Sequence, residues 1–294
     1  MPLLTLTPDN PAASDQAREL RALMAARKAA TRAVSDVSPR MSRSLALVGG
    51  KGGVGKSVIA MNLAVALARH GSTVGLLDAS PGMGSLGLLC GQNGYWNFEH
   101  VLAGTRELNE IVLNGSTGIQ LVPGASHLLT APDIKASAVR ALAAFERQHD
   151  WLIVDTGADV SVARWFATPA DCTWIVTTPE PTAVAEAYAA MKNLAAAGVG
   201  SVSVLVNQAD SQQQAMQILD RLRHAARAFL ASDIGLAGYI PFDAAVGQSV
   251  FRRVPLIDME PGPCVAALDQ IGQRLNRTVS DRRKATYIER FRRP

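Results

Sequence analysis

From Ser44 onward, short apolar runs rich in β-branched residues alternate with longer segments whose apolar positions recur at helical spacing. The short runs are "SLALVGG", "STVGLLD", "GIQLVPG", "DWLIVDTG", "CTWIVTTP", "SVSVLVNQ" and "GLAGYIP". They are almost continuously apolar rather than alternating, which predicts strands buried on both faces. Seven such strands separated by helices predict an α/β fold: a mostly parallel sheet with helices on both sides. Ahead of them, residues 1–13 are rich in Pro, Thr and Ala, and a short amphipathic helix is predicted over about 14–33. Ser14 or Asp15 would cap it, and Ala17, Leu20, Leu23 and Met24 share one face. The polar linker "VSDVSPRMSRS" follows. The expected organisation is therefore residues 1–43 as helix and linker, 44–273 as the α/β domain, and 274–294 as a basic tail.

Charge sharpens that division. The chain has 294 residues and a net charge of +4, but residues 1–43 carry 7 basic and 4 acidic side chains, and residues 274–294 carry 8 and 2. The middle is acidic, so basic character belongs to the ends, where it meets partners or anionic surfaces rather than building the fold. In "DRRKATYIERFRRP", Tyr287, Ile288 and Phe291 fall on one side of a candidate helix among basic residues. That pattern fits a membrane-surface helix and a solvated tail equally. No apolar run approaches the length of a membrane span, and the first residues lack the pattern of a signal peptide, so a cytoplasmic protein is expected. The three cysteines, Cys90, Cys172 and Cys264, lack paired spacing, which argues against a disulfide framework or zinc site.

The chemistry begins at "GGKGGVGKS", Gly49 to Ser57, between the first strand and a helix. Gly50, Gly52, Gly53 and Gly55, with Lys51 and Val54 between them, let successive backbone N–H groups turn inward around an anion. Lys56 can reach the outer phosphates of a nucleotide, and Ser57 can ligate Mg2+. Asp155 ends the strand of "DWLIVDTG", at the carboxyl edge of the sheet where ligands of such folds bind.

Lys51 makes the loop specific. The pattern KGGxGK[ST] resembles the deviant Walker A box of the MinD/ParA superfamily. The resemblance implies that ATP gates homodimerisation, with Lys51 crossing the interface to the phosphates held by the other copy. It also implies that Asp155 is the Walker B residue serving Mg2+, that Asp78 lies near the metal, that Gly157 senses the γ-phosphate, and that Asn207 and Pro241 frame the adenine. Within the superfamily, "VTTPEPTAVAEAYAAMKNL" and "IVDTG" are similar to the FlhG (FleN) family of flagellar-number regulators. In "DQARELRALM", Asp15, Gln16, Ala17, Leu20 and Arg21 match the element by which that family stimulates its partner, the signal-recognition-particle-type GTPase FlhF. The resemblance also implies reversible attachment to the inner face of the cytoplasmic membrane through the tail. Basal-body proteins and transcription regulators are further expected partners, and no specific nucleic acid is.

One departure bears on activity. The family carries DxD after the second strand, the second aspartate orienting the attacking water; here the residues are Asp78, Ala79 and Ser80. A serine hydroxyl is no base at neutral pH, so hydrolysis is expected to be slow. Asp159 stands where relatives commonly have glycine, and two readings stay open: it supplies the missing carboxylate, or it caps the following helix. The alternatives to a cycling ATPase are an ATP-gated scaffold that does not hydrolyse, and a partitioning or division-site ATPase on the same fold.

Overall fold

The computed structural model describes residues 42–80, 84–92, 94–124, 136–200, 202–230, 233–277, 288 and 290. The expected N-terminal helix, with Asp15, Gln16, Ala17, Leu20 and Arg21, lies outside them, as does most of the tail.

The order opens with β1 (Arg43–Val48), α1 (Lys56–Arg69) and β2 (Val74–Asp78). Three short helices follow, α2 (Leu86–Leu89), α3 (Phe98–Ala103) and α4 (Leu108–Ile111), then β3 (Leu113–Asn114) and β4 (Gln120–Val122). The second half alternates regularly: α5 (Ala136–Arg147), β5 (Trp151–Asp155), α6 (Val160–Ala167), β6 (Cys172–Thr177), α7 (Pro181–Ala196), β7 (Val202–Ala209) and α8 (Gln212–Leu230). It closes with β8 (Gly235–Pro241), α9 (Ala245–Arg252) and α10 (Pro263–Arg277).

The strands form one eight-stranded sheet in the order β3-β4-β2-β5-β1-β6-β7-β8. All pairs are parallel except β3 with β4. The seven expected strands are present; β3 is an addition, a two-residue antiparallel edge too short to leave a periodic signal. Along β1, Leu45 and Leu47 enter the core on one face while Ala46 and Val48 enter it on the other, all without exposure. Two buried faces account for the uninterrupted apolar run in sequence.

On the first face α1 is apolar around most of its circumference because it is enclosed: Ile59 to Leu67 are all buried. Its one interior amide, Asn62, is satisfied at both ends, donating to the Val58 carbonyl at 2.8 Å and accepting from the Ile257 N–H at 3.0 Å. α10 packs against it so closely that a Cβ added at Gly272 would lie 2.8 Å from the Ala66 Cβ. On the second face α5 to α8 cover the sheet. The described tail residues also turn toward this face: Ile288 is buried among Leu142, Phe145 and Phe166, and Arg290 pairs with Asp171 at 2.7 Å. Among the described residues no helix is long and apolar enough to cross a membrane.

The α1–α10 approach gives a stability test. Gly272→Leu forces these helices apart, and overpacking of this kind costs about 1–3 kcal/mol. We expect a lower urea midpoint without loss of the helical circular dichroism of the remaining fold.

Candidate functional site: a phosphate loop and two buried carboxylates

Parallel strands carry their carboxyl ends to one edge of the sheet, and the site is assembled there from the segments that leave β1, β2, β5, β6, β7 and β8. The loop after β1 turns through left-handed glycines at Gly53 (φ 83°) and Gly55 (φ 91°), a conformation that other residues adopt only with strain. Gly50 is required for a different reason: a Cβ there would overlap the Glu186 carbonyl of α7, so the loop lies directly on that helix.

The two lysines of the loop occupy different environments. Lys56 is buried, passes over Gly49, and donates to the Lys51 carbonyl at 3.3 Å. Burial holds its ammonium below the ordinary lysine range, with the nearby Asp155 carboxylate opposing that shift. Lys51 is half-exposed and held by the start of α7, pairing with Glu180 Oε1 at 2.5 Å and donating to Thr182 Oγ1 at 2.9 Å.

Asp78 and Asp155 end adjacent strands in direct register, and both are buried. Desolvation raises the Asp155 carboxyl; hydrogen bonding to Ser57, the charge of Lys56, the Gly157 N–H and a bond to Ser80 pull it back. Asp78 is pushed up to about 6, by burial first and by the Asp155 charge second. Its oxygens accept the N–H groups of Ser80 (3.1 Å) and Leu86 (3.2 Å), tying the residue after β2 to the start of α2. Ser80 lies beside both carboxylates, and its side chain is among the groups that oppose their upward shifts.

Mg2+ fits the donor set. Asp155 Oδ2 is buried with no hydrogen-bond partner among the described residues, beside a Ser57 hydroxyl and a second carboxylate, an oxygen-rich arrangement of the kind that ion prefers. Gly157 is in the left-handed region (φ 69°), and its N–H is 3.4 Å from Asp155 Oδ1. Asp159 is exposed and immediately precedes α6, its carbonyl accepting the Ala163 N–H at 2.8 Å, which is the N-cap position of that helix.

A cavity of about 300 Å³ adjoins the loop, lined by Gly55, Ile59, Asn207, Pro241, Phe242 and Cys264 among others. Asn207 donates to the Val54 carbonyl at 2.9 Å, tying the loop to β7. Asn207 and Pro241 line the same cavity, as does Gln208, which has φ 58° beside a break in the β7–β8 register and carries no signal in the sequence. Glu180 and Thr182, the groups that hold Lys51, are likewise not among the expected site residues. Their only sequence signal is an acid and a hydroxyl flanking a proline at a helix start.

The raised Asp78 carboxyl fixes a pH dependence. Its folded value of about 6 exceeds the ordinary 3.8, so the native state binds the proton more tightly, and the stabilisation is lost as pH rises through about 6. A difference of this size corresponds to about 3 kcal/mol. In nucleotide-free protein, Asp78→Asn should gain stability relative to wild type between pH 4 and 7, read from urea midpoints.

Comparison with known proteins agrees with this geometry. The family described as "ParA: NUBPL iron-transfer P-loop NTPase" matches residues 40–276. The antiactivator FleN of Pseudomonas aeruginosa is 34% identical over 226 residues, covering 74% of this chain and 80% of that protein. The flagellum site-determining protein YlxH of Helicobacter pylori is 31% identical over 239 residues, 78% of this chain and 80% of that one. The cell division ATPase MinD of Pyrococcus furiosus shares the fold with a TM-score of 0.66 at 20% identity, covering 81% of this chain and 99% of that chain. MinD of Pyrococcus horikoshii, solved with Mg-ADP, gives 0.65 at 21% identity, covering 80% and 96%. With its phosphate loop, paired carboxylates and parallel sheet, the chain belongs to the ParA/MinD family of P-loop NTPases, in the FlhG/FleN branch.

Proposed function

We propose that the protein is an ATPase of the FlhG type that dimerises on binding ATP and regulates flagellar number or placement. The observation that carries this reading is the division of labour between the two loop lysines: one buried beside Asp155, the other at the surface on a pair of side chains it can leave. Lys56 binds the phosphates of its own nucleotide, and the backbone N–H groups of Gly50 to Ser57 surround them. Ser57 and Asp155 hold Mg2+, with Asp78 supporting it; the ion, when bound, offsets the negative charge of the phosphates. Asn207 and Pro241 border the base. Lys51 leaves Glu180 and reaches the nucleotide of a second copy, because two triphosphates buried face to face need additional positive charge.

Asp15 to Arg21 then act on an FlhF-like GTPase, Gln16 being the residue presented to its GTP site. The tail adds weak peripheral membrane contact, and basal-body proteins or transcription regulators receive the signal. Two flagellar relatives support this over a division-site role, although MinD proteins also match the chain, among them that of Synechocystis at 30% identity.

A second reading is favoured by Ser80. Its hydroxyl lies beside both carboxylates and offers no base for the attacking water, as suits an ATP-gated scaffold. Asp159, if it orients that water, restores the enzyme reading.

Three measurements follow. Sedimentation with ATP and Mg2+ should convert wild type to a dimer while Lys51→Ala stays monomeric. Phosphate release that falls on the order of a hundredfold in Asp159→Ala but survives in Ser80→Ala assigns the water to Asp159; no release from wild type leaves the scaffold. Deleting residues 1–24 should abolish stimulation of the partner GTPase without altering ATP binding, and unchanged stimulation would remove the flagellar assignment.

A further inference from the structure

The far end of α9 carries a feature that nucleotide chemistry does not use. Phe251 is 89% exposed, Val250 and Val254 on either side of it are exposed at 40% and 38%, and Arg252 and Arg253 are exposed between them. Leu88, half-exposed on α2, lies one turn before Gly91, where an added Cβ would come within 2.9 Å of the Arg253 carbonyl. The backbone at the end of α9 therefore passes the segment that follows α2, and the exposed apolar side chains at that helix end flank two arginines in sequence.

Two further observations mark the patch as more than a frayed helix end. Among the described residues neither arginine has an ion-pair partner, whereas Arg69, Arg227 and Arg290 are paired with Asp258, Asp233 and Asp171. Arg253 also occupies the left-handed position that ends the helix (φ 55°), where glycine is the unstrained choice.

We infer that this patch docks an acidic segment of another protein, one that sets an apolar side chain beside Phe251 and carboxylates against Arg252 and Arg253. Aromatic and arginine side chains side by side are the usual anchors of such contacts. The charge excludes the patch from pairing with itself: a two-fold contact between copies would bring four guanidinium groups together without a counter-charge. A membrane is a poorer occupant, because α9 is only 8 residues long and offers one large apolar side chain and two cations, short of the broad apolar face and basic cluster of surface-bound helices. The first turn of the same helix, at Val246 and Gly247, lines the cavity beside the phosphate loop, so a partner held at Phe251 contacts an element that borders the nucleotide. The inference does not require Lys51 to act across a dimer.

The test uses the full-length protein in its native host, with Phe251→p-benzoylphenylalanine as a photo-crosslinker and the linked peptide identified by mass spectrometry. The expected adduct is a segment of a different protein with net negative charge, and its yield should fall at least about tenfold when Arg252→Glu and Arg253→Glu are added. An adduct to a second copy, to lipid, or to a neutral or basic segment overturns the inference, as does no adduct or a yield indifferent to charge reversal. Thermal unfolding and ATP affinity must match wild type in the reversed variant. Should they not, Arg252→Gln with Arg253→Gln replaces it, and a yield unchanged by that pair counts against the inference.

Discussion

Two carboxylates and one ammonium group share a desolvated position at the carboxyl edge of the sheet, and the other features of the site are organised around the imbalance. Asp78 and Asp155 end neighbouring strands in register, with Lys56 as the nearby cation. Burial raises both acids and lowers the base, so each group is held away from its preferred charge state. Among the described residues, one oxygen of Asp155 has no hydrogen-bond partner. A divalent cation with an anionic nucleotide would complete this arrangement, since it supplies charge to the carboxylates and gives the lysine a phosphate in place of a backbone carbonyl.

The constraint extends outward through backbone rather than through side chains alone. Asp78 accepts the N–H groups of Ser80 and Leu86, which ties the residue after β2 to the start of α2. The phosphate loop is positioned on one side by Gly50 against α7 and on the other by Asn207 at the Val54 carbonyl. Lys51 projects from this fixed loop onto Glu180 and Thr182, a contact open enough to solvent to be exchanged at modest cost. An exchangeable cation at this position is what the proposed nucleotide-dependent switch requires.

Much of this was legible in the sequence, and for identifiable reasons. Strands buried on both faces leave long apolar runs, and the glycine-lysine loop is local, so β1, α1 and the phosphate loop could be read directly. Asp155 could be placed because a strand end locates it. What stayed hidden depends on contacts distant in sequence: Glu180 and Thr182 meet Lys51 across about 130 residues, and Ser80 meets Asp155 across two strands. That position 80 carries no acid was visible; its place beside both carboxylates was not. The edge strand β3 was missed because two residues carry no period.

The central claim is that Lys51 exchanges a carboxylate of its own chain for a phosphate of another. The most direct measurement is a crystal structure with a non-hydrolysable ATP analogue and Mg2+. The account predicts two copies face to face, with Lys51 Nζ detached from Glu180 and within hydrogen-bond distance of a phosphate bound by the opposite copy. A nucleotide contacted by a single chain, with Lys51 still on Glu180 and Thr182, would contradict it.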